Sequence, residues 1–266
     1  AANSHKGTFG SVGILGGSDS MVGAALLAGR AALNLGAGRV YLGLIARNAP
    51  AVDSVQPELM LRSPHELFKL QQINCLIIGP GLGTESDAYS WLDCALTTQY
   101  NLVLDADALN HIAIHPQMAA KLRQRNEPSV LTPHPAEAAR LLDTEVATVQ
   151  NNRLSAAQQI AKYFNCHVVL KGAGSICTSP NGTHYINTSG NPGLSSAGTG
   201  DVLSGMIGAL ISQGLSPERA LLLAVYLHGA AADELRQQHN GPLGMTATEI
   251  IPAARGLLNQ WIYNRQ

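Results

Sequence analysis

The strongest chemical pattern in the sequence lies at residues 190–201, which read Gly-Asn-Pro-Gly-Leu-Ser-Ser-Ala-Gly-Thr-Gly-Asp and lead directly into an apolar helical stretch. Gly198, Thr199 and Gly200 place main-chain N–H groups at the predicted helix start, where free amides and the helix dipole favour an anion. Asp201 follows, although a carboxylate beside a phosphate site repels the ligand. Two roles stay open for it: a general base for a hydroxyl that attacks a phosphoryl group, or a carboxylate that stabilises the first helical turn.

A second pattern is a lysine at the end of a predicted strand, followed by small residues. Residues 168–175 read Val-Val-Leu-Lys-Gly-Ala-Gly-Ser. A lysine such as Lys171, beside glycines that leave the main chain accessible, suits the phosphates or ribose of a nucleotide. The alternative is a solvated lysine before a turn.

Two weaker patterns also follow predicted strands. In Thr-Pro-His-Pro-Ala-Glu, Pro135 opens a helix, and His134 and Glu137 are three residues apart and point toward the same end of the sheet. Glu137 could equally be the carboxylate of a capping box. The turn at residues 79–84, Gly-Pro-Gly-Leu-Gly-Thr, either admits a ligand close to the main chain or is a plain glycine turn.

Three familiar site types have no support in the sequence. No glycine cluster matches G-x-G-x-x-G with a helix following at once, and neither a G-x-x-x-x-G-K-[ST] loop nor a Gly-x-Ser-x-Gly elbow occurs. Dinucleotide binding of the Rossmann type, a Walker-type nucleotide site and elbow-type hydrolase chemistry are therefore disfavoured. His228, in a helix of small apolar residues, is interpreted as a satisfied core or interface histidine.

The elements that must position these residues alternate along the chain. Short apolar runs ending in Gly, Asp or similar residues predict buried strands, and Ala-rich stretches with helical spacing lie between them. This alternation predicts a mostly parallel sheet covered by helices on both faces. Residues 175–187 depart from it, because Pro180, Asn181 and Gly182 separate two strand-like arms and so predict a hairpin. The predicted strands are 12–16, 39–45, 75–79, 101–105, 129–132 and 167–171, and the predicted helices are 21–35, 88–96, 134–142, 153–164, 199–213, 217–238 and 248–262.

Composition narrows the classes of partner. The chain has 266 residues, only 13% of them charged, and a formal net charge of −1. Such a chain has no field that attracts nucleic acid or an anionic membrane. No stretch of 18 or more apolar residues occurs, and residues 1–10 lack the hydrophobic region of a signal peptide, so a cytoplasmic protein without membrane contact is expected. The four cysteines show no Cys-x-x-Cys spacing and are interpreted as buried free thiols.

The order of the motifs resembles the ribokinase-like superfamily and, within it, the ADP-dependent NAD(P)H-hydrate dehydratases. The resemblance runs nearly end to end. It rests on residues 5–18, on Gly-Ala-Ala-Leu-Leu-Ala from Gly23, on Leu-Gly-Ala-Gly from Leu35, and on residues 79–83, 105–110, 132–137, 171–175 and 191–205.

The resemblance implies a three-layer α/β/α ribokinase-like fold with an antiparallel hairpin near the sheet edge, formed by residues 1–266 as a single dehydratase domain. It implies dehydration of NADHX and NADPHX to NADH and NADPH, with ADP as co-substrate and with AMP and phosphate as products. Mg²⁺ is expected to bind through the nucleotide phosphates, and no metal ligand is assigned. A homotetramer is expected, and the start at Ala1 leaves room for an NAD(P)H-hydrate epimerase domain upstream, as in fused members of the family.

Site residues are transferred motif by motif from this resemblance. Asp201 is the expected catalytic base. The expected nucleotide contacts are Lys171, Gly172, Ala173, Gly174, Ser175, Gly198, Thr199 and Gly200, and the expected hydrate contacts are Ala25, Gly83, His134, Glu137 and Asp201.

Two departures from related patterns bear on the function. The lysine motif ends in Ser175 where the family more often has Thr, which keeps the hydroxyl. Kinases of the superfamily commonly carry Asn-x-x-Glu, whereas His134 stands in the Asn position here, which favours a dehydratase. A small-molecule kinase for a vitamin precursor stays the closest alternative, and a nucleotide-binding module without catalysis is the alternative from another class.

Overall fold

In the computed structural model, residues 9–263 are described, and within them nine strands form one sheet. The strands are β1 (Ser11–Gly16), β2 (Arg39–Leu44), β3 (Met60–Arg62), β4 (Cys75–Ile78), β5 (Asn101–Leu104), β6 (Ser129–Leu131), β7 (His167–Leu170), β8 (Ile176–Thr178) and β9 (His184–Ile186). Their order is β3-β2-β1-β4-β5-β6-β7-β8-β9. All pairs from β3 to β7 are parallel, and β8 and β9 are antiparallel to their neighbours.

Strand order reverses between β1 and β4. From β1 the chain first builds outward to β2 and β3, then returns to place β4 on the other side of β1. Such a reversal leaves a crevice at the carboxyl ends of the strands, where ligands of open α/β sheets bind. The loops after β1 and β4 meet at this point, because the Gly17 amide donates to the Pro80 carbonyl at 3.0 Å and the Ser18 amide to the Gly81 carbonyl at 2.7 Å.

Helices cover both faces of the sheet, which makes three layers. Along β4, Cys75 and Ile77 belong to one apolar cluster, while Leu76 and Ile78 belong to the other. The helices are α1 (Val22–Asn34), α2 (Pro64–Phe68), α3 (Ser86–Leu96), α4 (Asp107–Ile114), α5 (Pro116–Arg123), α6 (Pro135–Leu141), α7 (Val146–Asn151), α8 (Arg153–Phe164), α9 (Thr199–Ser212), α10 (Pro217–Gln238) and α11 (Ala247–Tyr263). The first cluster includes residues of α1, α9, α10 and α11, and the second includes mainly residues of α3 to α6 and α8.

The predicted three-layer architecture is therefore confirmed, including the hairpin of β8 and β9 at the sheet edge. Each of the six predicted strands is present, and the bounds of each differ from the prediction by one residue at one end. Five elements are not predicted by the sequence pattern: β3, α2, α4, α5 and α7. These elements have three to eight residues, so a repeating pattern has too little length to appear in the sequence.

Two further expectations can be compared with the structure. Cys75, Cys166 and Cys177 are buried free thiols as predicted, whereas Cys94 is partly exposed because it lies on the outer side of α3. Between residues 9 and 263, no helix combines the length and the apolar character needed to cross a membrane. Residues 5–8 of the first motif lie outside the described part of the chain.

Candidate active site

The polar residues singled out from the sequence lie at one edge of the sheet. Asp105 follows β5, His134 follows β6 after a short connection, and Lys171 follows β7 directly. Because these strands are parallel, their carboxyl ends share this edge. The start of α9, with Asp201 in its first turn, completes the group.

Lys171 and Asp105 form an ion pair at the centre of the site. Lys171 Nζ donates to Asp105 Oδ1 at 2.9 Å and lies 4.0 Å from Glu137 Oε2. Ser204, one turn beyond Asp201 on α9, donates to Asp105 Oδ2 at 2.6 Å. Lys171 is thus a fixed, largely buried cation, so the alternative of a solvated lysine is wrong.

The charges of this pair support each other. Burial alone would raise the pKa of Asp105, but the Lys171 charge and the hydrogen bond from Ser204 oppose it, and the pKa lies below its usual value. Burial alone would lower the pKa of Lys171, but the carboxylates of Asp105 and Glu137 hold it above its usual value. Both groups are therefore ionised at neutral pH, and together they add no net charge to the site.

His134 and Glu137 form the N-terminal cap of α6. The His134 amide donates to Glu137 Oε2 at 2.7 Å, and His134 Nδ1 accepts from the amides of Ala136 and Glu137. A ring that accepts at Nδ1 carries its proton at Nε2 when neutral, and Nε2 lies 3.3 Å from Glu137 Oε1. The capping-box role left open for Glu137 is therefore present. Burial raises the pKa of Glu137 and lowers that of His134.

Asp201 lies in the first turn of α9 but makes no capping hydrogen bond. The N-cap of α9 is Gly198, which has no side chain to bond, and among residues 9–263 no group donates a hydrogen bond to the Asp201 carboxylate. Burial, followed by the charge of Asp105, raises the pKa of Asp201 to about 7. A partly buried carboxyl group with that pKa, lining a cavity, has the properties expected of a general base at neutral pH.

The start of α9 forms the predicted anion cradle. Gly198 has φ +84°. The first main-chain hydrogen bond of the helix runs from the Val202 amide to the Gly198 carbonyl, so the amides of residues 199–201 have no partner within the helix. A Cβ at position 200 would lie 3.2 Å from Lys171 Nζ, so a residue larger than glycine would press on the ion pair. The hydroxyl of Thr199 donates to the carbonyls of Leu194 and Ser196, so it shapes the preceding loop and leaves the amide for a ligand.

Two cavities meet at this cradle. The smaller, of about 420 Å³, is lined by the residues with acid–base character and by the start of α9: Asp105, Ala106, His134, Glu137, Lys171, Gly172, Gly198, Thr199, Gly200 and Asp201 among them. The larger, of about 660 Å³, is mostly apolar in its lining and contains Lys171, Gly172, Ala173, Gly174, Ser175, Thr199 and Gly200. Lys171, Gly172, Thr199 and Gly200 line both cavities, so one elongated ligand or two ligands could meet there.

The loop after β7 is held from behind by Arg153. Its Nη2 atom donates to the carbonyls of Leu170 and Lys171 at 3.3 Å each. Gly172 has φ +140°, and a Cβ there would lie 2.8 Å from Arg153 Nη1, so a larger residue would be strained and would displace the guanidinium. The Ser175 hydroxyl donates to the Gly172 carbonyl at 3.0 Å and closes the turn.

His228 of α10 lines the larger cavity and differs from its interpretation as a satisfied core residue. Its ring is 7% exposed, and Nε2 has no hydrogen-bond partner within the described residues. Burial lowers the pKa of His228 to about 4, against the opposing effect of the Thr199 carbonyl. The ring is therefore neutral at physiological pH.

Gly83 and Ala25, both expected to contact a hydrate, lie outside these two cavities. Gly83 is partly exposed at the β1–β4 crevice. Ala25 is fully buried in α1, so its side chain is not available to a ligand, and within that motif Gly23 and Ala24 are the accessible positions. The contact between Ala25 and a hydrate that the family resemblance implies stays a prediction.

The chain itself supplies no metal site in its described part. No group of three or more His, Cys, Asp or Glu side chains in residues 9–263 is arranged to hold a metal ion. The position between the carboxylates of Asp105 and Glu137 is taken by the Lys171 ammonium group. These residues do not fit a resident metal.

Asp105 and Ser204 are the site residues that the sequence analysis did not assign. The motif containing Asp105 was used only for the resemblance, although its place directly after a buried strand was a usable signal. Ser204 gave no signal, because a serine inside an apolar helix is common and its partner lies 99 residues away.

Comparisons with known proteins agree with one another. A sequence model of the family described as NAD(P)H-hydrate dehydratase matches residues 12–255. An ADP-dependent (S)-NAD(P)H-hydrate dehydratase of Neisseria meningitidis is 45% identical over 263 residues, which cover 98% of this chain and 88% of the relative. A bifunctional NAD(P)H-hydrate repair enzyme of Coxiella burnetii is 36% identical, and this chain spans about half of its length, 52%.

A solved structure also matches the fold of this chain over nearly its whole length. The ADP/ATP-dependent NAD(P)H-hydrate dehydratase of Bacillus subtilis, crystallised with ATP and Mg²⁺, superimposes with a TM-score of 0.85 at 33% identity and covers 98% of this chain and 93% of its own.

Proposed function

The chain belongs to the NAD(P)H-hydrate dehydratase family, and we propose that it performs the ADP-dependent dehydration of NADHX and NADPHX to NADH and NADPH, with release of AMP and phosphate. The observation that carries this proposal is Asp201. Its carboxyl group has a pKa of about 7 and lines the same cavity as Lys171 and the free amides at the start of α9.

The hydrate reacts in the smaller cavity. Asp201 accepts the proton of the C6 hydroxyl while that oxygen attacks the terminal phosphoryl group of the nucleotide, and AMP departs. Phosphate then leaves C6 with the electrons of the C–O bond, driven by the ring nitrogen, and loss of a C5 proton completes the double bond. Hydroxide is a poor leaving group, and phosphorylation removes that barrier.

Charge balance in the site supports transfer of an anionic group. Lys171 and Asp105 cancel each other, and the raised pKa values of Asp201 and Glu137 reduce repulsion of a phosphate. The main-chain amides around Gly200 would stabilise the negative charge that develops during phosphoryl transfer, a positioning and electrostatic contribution. His134 and Glu137 lie beside the same cavity and, as predicted from the resemblance, would contact the hydrate.

The nucleotide occupies the larger cavity. The loop from Lys171 to Ser175 forms one wall of this cavity. The base of the nucleotide would lie among the apolar side chains of Leu203 and Val225. Mg²⁺ would arrive with the phosphates and neutralise part of their charge, since the described residues do not hold a metal on their own. We also propose a single ribokinase-like dehydratase domain and a homotetramer; the cytoplasmic location expected from the sequence stays a prediction.

The direct test is recovery of the reduced coenzyme. The protein is incubated with hydrated NADH or NADPH, Mg²⁺ and either ADP or ATP, and the absorbance of the reduced nicotinamide is followed. We expect recovery with ADP and a loss of turnover of about 10² or more in Asp201→Asn, the scale of a general base. The surface variant Asp93→Asn is the control and should keep full activity.

The same assay separates the alternatives. A small-molecule kinase would release a stable phosphate ester of an added alcohol and leave the hydrate untouched. A nucleotide-binding module would bind ADP without turnover. Absence of recovery with both nucleotides would overturn the dehydratase proposal.

A further inference from the structure

Gly83 is held at both of its main-chain polar groups by one helix. Its amide donates to Asp107 Oδ2 at 2.9 Å, and its carbonyl accepts from His111 Nε2 at 2.9 Å. Asp107 and His111 are four residues apart on α4, so they lie on the same face of that helix. The function proposed above does not use either residue.

The imidazole of His111 is committed to this contact. A carbonyl only accepts hydrogen bonds, so Nε2 must carry the ring proton. The side chain is 2% exposed, and Nδ1 has no partner among the described residues. A buried imidazole with an unpaired nitrogen is less favourable than an apolar side chain at the same position. The hydrogen bond to Gly83 is the one contribution that histidine makes here and an apolar side chain cannot.

The segment that contains Gly83 needs such support. Gly79, Gly81 and Gly83 all have positive φ, which leaves the turn with much conformational freedom when it is not held. The loop after β1 fixes only the carbonyls of Pro80 and Gly81. Gly83 is the point where this segment reaches the surface of the β1–β4 crevice, and a Cβ there would lie 3.1 Å from Ser18 Oγ.

The start of α4 also connects this segment to the acid–base cavity. Asp105 binds Lys171, whereas Asp107, two residues later, binds Gly83. Between them Ala106 lines the smaller cavity with φ +47° and ψ −116°, a conformation that turns the two carboxylates to different sides. Residues 105–107 therefore hold both Lys171, at the centre of the acid–base cavity, and Gly83, at the β1–β4 crevice.

We infer that Asp107 and His111 are positioning residues that hold Gly83 in the conformation that binds the hydrated nicotinamide dinucleotide. This inference rests on the proposed function. The two side chains act on the hydrate only through the peptide groups of Gly83. They do not affect nucleotide binding at the Lys171 loop.

The kinetic test uses His111→Leu and His111→Gln. Leucine fills the buried space without a donor, whereas the glutamine amide nitrogen can take the place of Nε2. In His111→Leu we expect the KM for the hydrate to rise about tenfold, the scale of one strong hydrogen bond, with the KM for ADP unchanged. His111→Gln should recover most of the loss.

A matched control is His115→Leu. The His115 ring stacks on His111 at 5.8 Å, but among the described contacts it makes no bond to Gly83. It should leave the KM for the hydrate unchanged. Equal impairment by leucine and glutamine at position 111, or a hydrate KM within about twofold of wild type in His111→Leu, would overturn the inference.

A second measurement does not depend on turnover. Amide hydrogen exchange of Gly83 should be faster by about tenfold in Asp107→Ala, which removes the acceptor, and near wild type in Asp107→Asn, which keeps an oxygen. Unchanged exchange in Asp107→Ala would contradict the inference even if the protein proved inactive on the hydrate. An inactive wild type with the expected exchange pattern would instead overturn the proposed function alone, and the exchange test also applies if His111→Leu does not fold.

Discussion

Lys171 Nζ lies 2.9 Å from Asp105 Oδ1, although 66 residues separate them in the sequence. The contact joins the ends of β7 and β5 across the intervening β6, so the ion pair links two strand ends that are not neighbours in the sheet. The pair also acts on Asp201, because burial and, after it, the charge of the Asp105 carboxylate raise the pKa of Asp201.

Removing Asp105 should therefore be costly. Asp105→Ala leaves the largely buried Lys171 without its partner, and we expect a loss of about 3–5 kcal/mol in the free energy of unfolding, measured with urea. The matched control is Asp93→Ala. It breaks a surface pair with Lys121, whose side chains are 32% and 42% exposed, and should cost less than about 1 kcal/mol. Equal losses in the two variants would contradict the importance of the buried pair.

The stabilisation by this pair should also depend on pH in a defined way. The pKa of Asp105 is lowered and that of Lys171 is raised in the folded protein. The contribution is thus present between about pH 4 and pH 10, is lost as the pH falls through the folded pKa of Asp105, and is lost again as it rises through that of Lys171. The difference in unfolding free energy between wild type and Asp105→Ala, measured across pH, should shrink at both extremes.

As the pH rises toward 7, ionisation of Asp201 should increase the activity of the protein and decrease its stability. Its pKa of about 7 in the folded protein lies above the value of about 4 in the unfolded chain, so wild-type stability falls as the pH rises between these values. Asp201→Asn carries no ionisable group there. We expect it to gain stability relative to wild type from about pH 4 to pH 7 and to hold that gain above pH 7.

Thermal unfolding across this pH range measures the effect of Asp201→Asn. Wild-type turnover should rise with pH as the base ionises near pH 7. A constant difference in Tm between the two proteins at all pH values would show that the carboxyl group of Asp201 is not perturbed.

Gly200→Ala should weaken nucleotide binding. The added Cβ would lie 3.2 Å from Lys171 Nζ and 3.9 Å from Asp105 Oδ2, so it crowds the ion pair and narrows the cradle. We expect the Kd for ADP, measured by calorimetry, to rise by about tenfold or more. Gly256→Ala in α11 is the control, because a Cβ there meets no atom within 4 Å. It should leave the Kd unchanged and slightly stabilise the helix.

Ala106→Gly should make the protein more stable. Ala106 has φ +47° and ψ −116°, a region that non-glycine residues occupy at a cost of about 1–3 kcal/mol. Glycine relieves that strain and loses part of the gain through the entropy of the unfolded chain, which leaves a net gain of about 1 kcal/mol. The reference is Ala120→Gly in α5, which should destabilise by about 1 kcal/mol. A lower Tm in Ala106→Gly would contradict the argument.

Much of the fold could be predicted from local patterns. The apolar runs of β1, β4 and β5 are buried on both faces and therefore continuous in the sequence, and Pro180, Asn181 and Gly182 mark the hairpin directly. Short elements such as β3 and α4 gave no signal, because three to eight residues do not complete a recognisable period. The resemblance to the dehydratase family came from the order of the motifs, and the comparisons agree with it.

The sequence by itself determined which residues stand where strands end and where α9 begins, since the hydrophobic period and the glycines fix those points locally. Only the tertiary structure decided what these residues do to one another. Strand order and burial determine the ion pair of Lys171 with Asp105 and the raised pKa of Asp201. They also determine the hydrogen bonds of Asp107 and His111 to Gly83. Electrostatic energies depend on distance and solvent exposure in three dimensions, and neither quantity is contained in the spacing of residues along the chain.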